Sequence, residues 1–560
     1  MFLNNKDMKI KSFCKFLLMG SIAYLAASCT GDVESKQVLL TSESGDVLKE
    51  QANVVFRKGQ ASEGAVLTVS IDLKDKRQQI NGIGTSLTES SAFVLACLPV
   101  EKRRELLQEI FGENGADFAL VRTHIGPSDF SVEGKYSLAE VEGDTLLEHF
   151  SLNRDKEGFD KEKYPHVVDA GYDLYPLMKE VAAIRKSQSD NEYRIVASAW
   201  TAPAWMKDNK SYYQNGYGGT LLKEYYRVYA DYLVKYLETY KQEGIEFWGI
   251  TPVNEPQGNG GQWESMHFTP GDQAGFIGKY MGPALEKSGF GNLKLLAFDQ
   301  NTREMPEWAH VIYADPEAAK YTAGMAVHWY ASTFHPFGNI MDSIHNAHPD
   351  KIIMHTEGCI DALGTPSWCG DGGCASDPEG FVESGWFKND AFWWNCNATD
   401  WAYSIPCSYC DNPNHPKYVP THRYARYIIE GINHRLTGFI DWNIILDSKG
   451  GPNHANNFCG APVMIDTENK EIYFTPAYHV LKQLSRNIRP GDVALHAVTG
   501  EGANKDNLFV GATLNQKGEV VVNMLNIIKE PITFDLKLGE YTATVTAPAN
   551  SLQTIIVKLP

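Results

Sequence analysis

The chain has 560 residues, of which 11% are aromatic and 21% are charged, and its formal net charge at pH 7 is −18. This length predicts two or three domains, and the composition excludes a disordered chain. The acidic balance argues against nucleic acid as a partner, because phosphate binding requires a basic face.

Residues 1–29 have the features of an export signal. Four lysines precede the apolar run FLLMGSIAYLAAS, which is too short to span a bilayer comfortably. Cys29 follows this run directly, as in a bacterial lipoprotein signal, where the cysteine is lipidated and becomes the mature N-terminus. In the alternative, an ordinary cleaved signal, Cys29 has no role. We expect an exported lipoprotein, periplasmic or anchored at the outer membrane or cell surface, that contacts the membrane only through this lipid.

The segment from 78 to 488 alternates apolar, strand-like runs with amphipathic helical stretches. The strand-like runs are QINGIG, DFALVRT, YRIVASA, IEFWGIT, NLKLLAF, GMAVHW, KIIMHT and LTGFIDW. Eight strands alternating with helices predict an α/β protein with a (β/α)8 TIM barrel. Residues 360–416 form an aromatic and cysteine-rich insert in this barrel.

The segment from 489 to 560 returns to a period of two residues, with runs such as GEVVVNMLN and YTATVTAP. Short strands separated by turn residues predict an attached β-sandwich. Residues 36–77 also contain β-like runs, such as VLTVSIDL. We expect these N-terminal strands to join the sandwich, because a barrel entered and left on one side brings its two flanks together.

In such a barrel the chemistry lies at the C-terminal ends of the strands. The side chains predicted at these ends are Arg122, His124 and Asp129, Trp200 and Trp205, Asn254 and Glu255, His328, Trp329 and Tyr330, Glu357, and Asp441, Trp442 and Asn443. Two glutamates beside an aromatic-lined mouth favour glycoside hydrolysis, which needs an acid for the leaving oxygen and a carboxylate for the oxocarbenium-like carbon. One such carboxylate alone would more simply be a helix cap or a surface ion pair.

The motifs WGITPVNEPQ, ASAWTAPAWMK, AVHWYA, IIMHTEGC and GFIDWNIILDSKGGPN resemble those of glycoside hydrolase family 30. The chain is most similar to the acid β-glucosidase (glucosylceramidase) branch of that family, from about residue 78 to the C-terminus. This resemblance implies a barrel with a β-sandwich and a reaction that needs no cofactor and no metal. It also implies that the substrate is a β-linked glycoside or glucan.

The resemblance implies a role for each motif residue. Glu255 matches the general acid/base and Glu357 the nucleophile, which implies retention of configuration. The residues expected to bind substrate are Arg122, Asp129, Trp200, Asn254, His328, Tyr330, Trp442 and Asn443. Tyr330 is expected to hydrogen-bond to Glu357, whereas Trp329 is as consistent with a core position.

Three functions are consistent with these residues. The expected function is that of a retaining, exo-acting β-glycoside hydrolase similar to β-glucosidases and glucosylceramidases. An endo-β-1,6-glucanase of the same family is the alternative. A non-catalytic sugar-binding lipoprotein on the same scaffold is disfavoured, because both glutamates are present.

The chain departs from the family pattern in its opening loop. Family members often carry Thr-Asp there, whereas this chain has Thr88 followed by Glu89. If the Glu89 carboxylate holds the outer hydroxyls of the bound sugar, its extra carbon would shift the sugar preference.

The cysteines of the insert are expected to be crosslinked rather than to bind zinc. Cys407, Cys410 and His415 have a zinc-like spacing, but an exported protein more often oxidises such cysteines. Three disulfides are expected among six residues, namely Cys369, Cys374, Cys396, Cys407, Cys410 and Cys459. Cys97 is expected to be a buried thiol and Cys359 to be free. The insert is expected either to wall the aglycone side with Trp386, Trp393, Trp394 and Trp401, or to fold on itself away from substrate.

Overall fold

The computed structural model describes residues 31–59, 67–188, 193–214, 219–360, 385–395 and 419–560. The export signal with Cys29 lies outside these residues. So do Trp401, His415 and five cysteines of the insert, which are Cys369, Cys374, Cys396, Cys407 and Cys410. Within the described ranges, no helix combines the length and the apolar character needed to cross a membrane.

A closed barrel of eight parallel strands forms the centre of the molecule. Its strands β6–β13 are Gly82–Leu87, Leu120–Ile125, Arg194–Ala199, Gly249–Thr251, Lys294–Asn301, Thr322–His328, Ile352–Glu357 and Leu436–Asp441. Each of the eight strands predicted from the sequence is present, so the predicted TIM barrel is confirmed. Six of them contribute one side chain each to a buried apolar cluster: Leu120, Val196, Leu296, Ala326, Met354 and Ile440.

Helices surround the barrel and contribute side chains to the apolar core around it. The described helices, α1–α12, are Glu89–Ala96, Val100–Phe111, Leu174–Gln188, Tyr226–Gln242, Pro270–Phe276, Gly282–Lys287, Met305–Ala314, Pro316–Tyr321, Gly338–Ala347, Asp390–Asn395, Pro420–Asn433 and Pro476–Asn487. Helix α4 shows why they form, since Tyr229, Leu233, Tyr236 and Tyr240 recur at helical spacing and are all wholly buried.

The second domain is a β-sandwich built from both ends of the chain. The N-terminal strands β1–β5 are Val33–Glu34, Gln37–Ser42, Lys49–Glu50, Val55–Lys58 and Thr68–Gln79. The C-terminal strands β17–β22 are Val493–Thr499, Leu508–Leu514, Val520–Asn526, Ile532–Leu538, Tyr541–Ala547 and Ser551–Val557. All eleven join one sheet in the order β1-β4-β21-β20-β5-β17-β18-β19-β22-β2-β3. Val69, Val522, Phe534 and Ile555 share its apolar core, so the sheet folds over on itself.

A small third sheet follows the eighth barrel strand and was not predicted. Its strands β14–β16 are Ile445–Asp447, Val463–Asp466 and Glu471–Phe474. Strand β14 also contacts α1, which follows the first barrel strand. The sheet therefore braces the segment that begins with Trp442 against the opening loop of the barrel.

Candidate active site

Two glutamates meet at the C-terminal end of the barrel. Glu357 is the last residue of β12, and Glu255 lies in the loop after β9 with a left-handed backbone, φ 47°. One carboxylate oxygen of each lies within 4.8 Å of the other. The Glu357 side chain is 7% exposed and that of Glu255 17%, so both carboxylates are largely buried.

The carboxylate of Glu357 is held by two donors, one from strand β7 and one from the segment that follows β11. Arg122 Nη1 donates to Oε2, and Tyr330 Oη donates to Oε1 over 3.0 Å. Burial raises the pKa of Glu357, and the charge of Glu255 adds to this, while His328 and Arg122 oppose it. The two cations therefore favour the ionised form of a carboxyl that burial alone would keep protonated.

Arg122 is wholly buried and binds four groups around the site. Besides Glu357, its guanidinium donates to Asn254 Oδ1 and Asp299 Oδ2, each over 2.8 Å, and to Ser198 Oγ over 3.1 Å. Burial alone would lower the pKa of Arg122, but the charges of Asp299 and Glu357 outweigh burial and raise it. Arg122 is thus a fixed positive charge beneath Glu357.

Asp299, at the end of the fifth strand, belongs to the site and was missed by the sequence analysis. It is wholly buried, and its carboxylate accepts from Arg122, Thr251, Thr356 and the ring of His328. Burial alone would raise the pKa of Asp299, but Arg122 and His328 hold it well below its usual range. The rule applied to the other strand ends would have found it, since it follows the run KLLAF directly.

His328 lies between the two glutamates and Asp299. Its Nδ1 is 3.2 Å from Glu255 Oε1 and 3.9 Å from Glu357 Oε1, and its Nε2 is 3.1 Å from Asp299 Oδ1. Burial alone would lower the pKa of His328, but these carboxylates raise it to about 9. At neutral pH the ring is an imidazolium that can donate from both nitrogens.

Two tryptophans form one aromatic wall beside Arg122. The rings of Trp200 and Trp442 stack with centroids 5.0 Å apart, and the Arg122 guanidinium carbon lies 4.8 Å and 5.4 Å from their respective centroids. Trp442 Nε1 is buried and has no hydrogen-bond partner among the described residues. A buried donor of this kind is available to a ligand.

Polar residues complete the wall. Asn443 has a left-handed backbone, and its Oδ1 accepts from Thr88 Oγ1 over 2.7 Å. Its buried Nδ2 has no partner among the described residues and can donate to a sugar hydroxyl. Asp129 Oδ2 accepts from Asn457 Nδ2 over 2.9 Å. Burial, reinforced by the charge of Glu357, raises the pKa of Asp129 to about 8.

Glu89 points into a different cavity. Its backbone N–H donates to His124 Nε2 over 3.0 Å, and its side chain lines a cavity of about 380 Å³ with Tyr136, Arg154 and Lys163. None of the site residues described above lines that cavity. The structure therefore gives no contact through which Glu89 would set the sugar preference.

Several other side chains prove to be core. Trp329 is 1% exposed and packs against Tyr424 and Phe439, so it is not part of the site wall. Trp205 donates to the carbonyl of Ala139. Asp441 is wholly buried and accepts from Tyr424 and Thr85.

The described part of the insert also packs as core, which corrects the expectation of exposed stacking rings. Trp386, Trp393 and Trp394 are at most 4% exposed, and Trp393 Nε1 donates to the carbonyl of Phe387 over 3.2 Å. Trp386 and Trp393 pack against each other and against Phe392, so these rings belong to the core of the described part of the insert.

The described cysteines are buried. Cys97 is a buried free thiol, as predicted. Cys359 and Cys459 are 2% and 0% exposed, and Cys359 Sγ lies 3.4 Å from Tyr330 Oη. The expected disulfides involve residues outside the described part of the chain.

The site does not suit a metal ion. In the described part of the chain, Glu255, His328 and Glu357 are the one group that brings three possible ligand atoms within 4.8 Å of one another. Both nitrogens of His328 face carboxylates, and a doubly protonated ring offers no lone pair to a metal. The arrangement is a buried network of acids and cations suited to proton transfer and nucleophilic attack.

Comparison with known proteins decides the family. The family model described as "Glycosyl hydrolase family 30 TIM-barrel domain" matches residues 80–369 and 411–488. The model described as "Glycosyl hydrolase family 30 beta sandwich domain" matches residues 497–555. Together these ranges span more than half of the chain. The chain belongs to glycosyl hydrolase family 30. Membership supports a glycosidase that acts on a glycoside substrate.

Relatives within family 30 carry two kinds of name. Putative glucosylceramidase 3 of Caenorhabditis elegans is 28% identical over 94% of this chain and 89% of its own length. Lysosomal acid glucosylceramidase of Mus musculus is 28% identical over 88% of this chain and 84% of its own length. An endo-1,6-beta-D-glucanase of Neurospora crassa is 28% identical over 56% of this chain and 61% of its own. The crystal structure of SrfJ from Salmonella typhimurium, 22% identical, shares the fold with a TM-score of 0.74 over 94% of this chain and all of that one.

Proposed function

We propose that the chain is a retaining, exo-acting β-glycoside hydrolase similar to glucosylceramidases, with Glu357 as nucleophile and Glu255 as acid/base. The observation that carries this proposal is the short separation of the two carboxylates, which have oxygens within 4.8 Å of one another. Retaining enzymes place their carboxyls about 5–5.5 Å apart, whereas inverting enzymes leave room for a water between them.

In the first step Glu357 attacks the anomeric carbon while Glu255 protonates the departing oxygen. Arg122 and Tyr330 hold the Glu357 carboxylate in one orientation, so that one reactive conformation is kept. Asn254 Oδ1 is fixed by Arg122, which leaves the Asn254 amide nitrogen to donate to the sugar 2-hydroxyl. The Trp200 and Trp442 wall and the unpartnered Asn443 amide nitrogen suit the apolar face and the hydroxyls of a single glycone.

In the second step Glu255 acts as base and water attacks the glycosyl-enzyme. Once Glu357 is esterified it carries no charge, so it no longer repels an ionised Glu255. Glu255 then accepts a proton from the incoming water, which regenerates both carboxyls in their starting states.

Two variants test the assignment of the glutamates. Glu255→Ala and Glu357→Gly should each lower kcat/KM on phenyl β-glucoside by about 100-fold or more, the scale of general acid and nucleophilic catalysis. Azide should restore turnover of the Glu255 variant with formation of the β-glycosyl azide, because it enters from the face that the acid/base vacates, whereas azide in the space left by Glu357→Gly should give the α-glycosyl azide. An α-glycosyl azide from the Glu255 variant would reverse the assignment. Glu180→Ala, on the outer helix α3 beside Arg103, is the control and should keep full activity.

An endo-β-1,6-glucanase is the second candidate, supported by the name of the Neurospora crassa relative. A panel of aryl β-glycosides, β-linked glucans and glucosylceramide, with products resolved over time, separates the two. Early accumulation of glucose alone supports exo action, whereas early oligosaccharides from β-1,6-glucan support the endo alternative. Cleavage of β-xylosides with every β-glucoside inert would end both.

We also propose that the chain is exported and lipidated at Cys29, as its N-terminal sequence indicates. Labelled lipid should be incorporated by the wild-type protein and not by Cys29→Ala. Equal labelling of the two would remove the proposal.

A further inference from the structure

The backbone at the end of the fifth strand is distorted where it delivers Asp299 to the site. Phe298 and Asp299 both have left-handed backbones, with φ of 76° and 65°. The pairing with β11 shifts register between Phe298 and Gln300, so Asp299 is the extra residue of a β-bulge. Left-handed conformations cost free energy in non-glycine residues and persist where the surrounding structure fixes them, often at functional sites.

Asp299 binds Glu255 through its backbone carbonyl and His328 through its side-chain carboxylate. The Asp299 carbonyl accepts from the backbone N–H of Glu255 over 2.9 Å. The Asp299 carboxylate divides its oxygens, with Oδ2 receiving Arg122 and Oδ1 receiving His328. One residue thus fixes the loop that carries Glu255 and both cations that face the glutamates.

The protonation of His328 decides where the proton of Glu255 lies. With both ring nitrogens protonated, Nδ1–H donates to Glu255 Oε1, and the carboxyl proton must lie on Oε2. With Nδ1 unprotonated, that nitrogen accepts the carboxyl proton from Oε1, and the proton points at the histidine instead of a substrate. Because Nε2–H of His328 donates to Asp299, the buried carboxylate keeps the ring in the orientation and charge state of the first arrangement.

We propose that Asp299 is a positioning residue for acid catalysis, acting through His328 to keep the Glu255 proton on the oxygen directed at the leaving group. The inference deepens the proposed function and rests on Glu255 being the acid. It concerns proton placement only, since Asp299 has no contact with the oxygens of Glu255.

The dependence on leaving group tests this role. Phenyl β-glucoside needs a proton on its leaving oxygen, whereas 2,4-dinitrophenyl β-glucoside does not. Asp299→Ala should lower kcat/KM by about 100-fold on the phenyl substrate and by about 10-fold or less on the dinitrophenyl substrate. The smaller, shared loss reflects Arg122, which also loses a partner. Equal losses on the two substrates would overturn the proposal and leave Asp299 a structural residue.

Two further variants keep the result interpretable. Asp441→Ala removes another wholly buried strand-end carboxylate, one that binds Tyr424 and Thr85 instead of a cation, and should show no leaving-group selectivity. His328→Ala removes the group through which Asp299 acts and should reproduce the selective loss. It decides the question if Asp299→Ala does not fold, and an unselective loss in His328→Ala also overturns the proposal.

Glu255→Gln separates this inference from the proposed function. If Glu255 is the acid, its glutamine variant must show the same selectivity for the dinitrophenyl substrate. An unselective Glu255→Gln refutes the role of Glu255 itself. A selective Glu255→Gln together with an unselective Asp299→Ala refutes only the role of Asp299.

Discussion

The positive charge of Arg122 compensates the negative charges of two buried carboxylates. Removing Arg122 should therefore lower both stability and activity. Arg122→Met leaves Glu357 and Asp299 buried without their shared cation, and breaking a buried pair costs about 3–5 kcal/mol. The loss should be measured as the free energy of unfolding in guanidinium chloride at pH 7. Arg104→Met, at a largely exposed arginine, should change stability by less than about 1 kcal/mol.

The pH dependence of this loss has a definite sign. Without Arg122, the folded-state pKa of both carboxyls rises, so protons are taken up more readily in the folded than in the unfolded chain. The penalty of Arg122→Met is then full at high pH and shrinks as the pH falls through those raised pKa values. A penalty equal at pH 7 and pH 5 would attribute the effect to packing instead of charge.

Tyr330 should influence the acid limb of the plot of kcat/KM against pH, the pH range in which activity falls as the solution becomes more acidic. In the proposed mechanism Glu357 must be ionised to attack, and burial raises its pKa, so kcat/KM should fall as the pH falls through a value above that of an ordinary glutamate. Tyr330→Phe removes a donor to the ionised form and should move this limb to higher pH. The control is Tyr240→Phe, whose buried hydroxyl binds Asp155, and its profile should match the wild type. An unmoved limb in Tyr330→Phe would show that the hydrogen bond does not stabilise the charge.

At the scale of residues, the sequence predicted most side chains of the site and the hydrogen bond from Tyr330 to Glu357, but it missed Asp299 and its contacts with Arg122 and His328. Strand-end position was sufficient for Arg122, Glu255 and Glu357, because parallel strands end at one face of a barrel. The division of the Asp299 oxygens between two cations depends on a bulge, which shifts one residue without altering the apolar pattern. The direction of Glu89 depends on the path of the long loop after β7 and has no local signal.

At the scale of elements, a substitution in the short helix α10 can test whether the described part of the insert belongs to the core. Trp393 is wholly buried against Trp386 and Gly460, so Trp393→Ala should lower the free energy of unfolding by about 3–5 kcal/mol through the cavity it leaves. Small aryl glycosides and long or lipid-linked substrates should be affected equally at a temperature where the variant is folded. Phe392→Ala, on the same helix but only half-buried, should cost less. A selective loss on the long substrates would restore the stacking role.

Elements were predictable where their apolar pattern extended over six or more residues. The barrel and C-terminal sandwich strands satisfy this condition, as the runs KLLAFDQN and VVVNMLN illustrate. Strands β14–β16 have three or four residues each, which is too short for a period to emerge. The fourth barrel strand is also shorter than its predicted run IEFWGIT, since the strand is limited to Gly249–Thr251.

At the scale of the whole molecule, one buried glutamine joins the barrel to the sandwich. Gln483 on α12 accepts from Thr41 Oγ1 over 2.6 Å and donates to Thr554 Oγ1 over 2.9 Å, so it links both ends of the chain. Gln483→Leu leaves these hydroxyls without their partner and should cost about 1–3 kcal/mol, with activity kept at moderate temperature. Calorimetry should show one unfolding transition at a lower Tm.

The exposed Gln242 provides the matched control for this substitution. Gln242→Leu lies on the outer surface of α4 and should leave the Tm within error of the wild type. Two separated transitions in the Gln483 variant would contradict a cooperative unit and show that barrel and sandwich unfold independently.

The pairing of β2 with β22 has a consequence for how the chain acquires this shape. Gln37 lies opposite Ile556, so two strands at opposite ends of the sequence must find each other across the whole length of the chain. Contacts so distant in sequence are slow to form, since the entropy of closing the loop is lost before any contact compensates for it. Seven of the eight strand pairs of the barrel join consecutive strands and can form earlier, whereas the closing pair joins β6 to β13. Strand β2 can therefore pair early with the nearby β3, but its other edge stays unpaired until residues 551–557 have been synthesised.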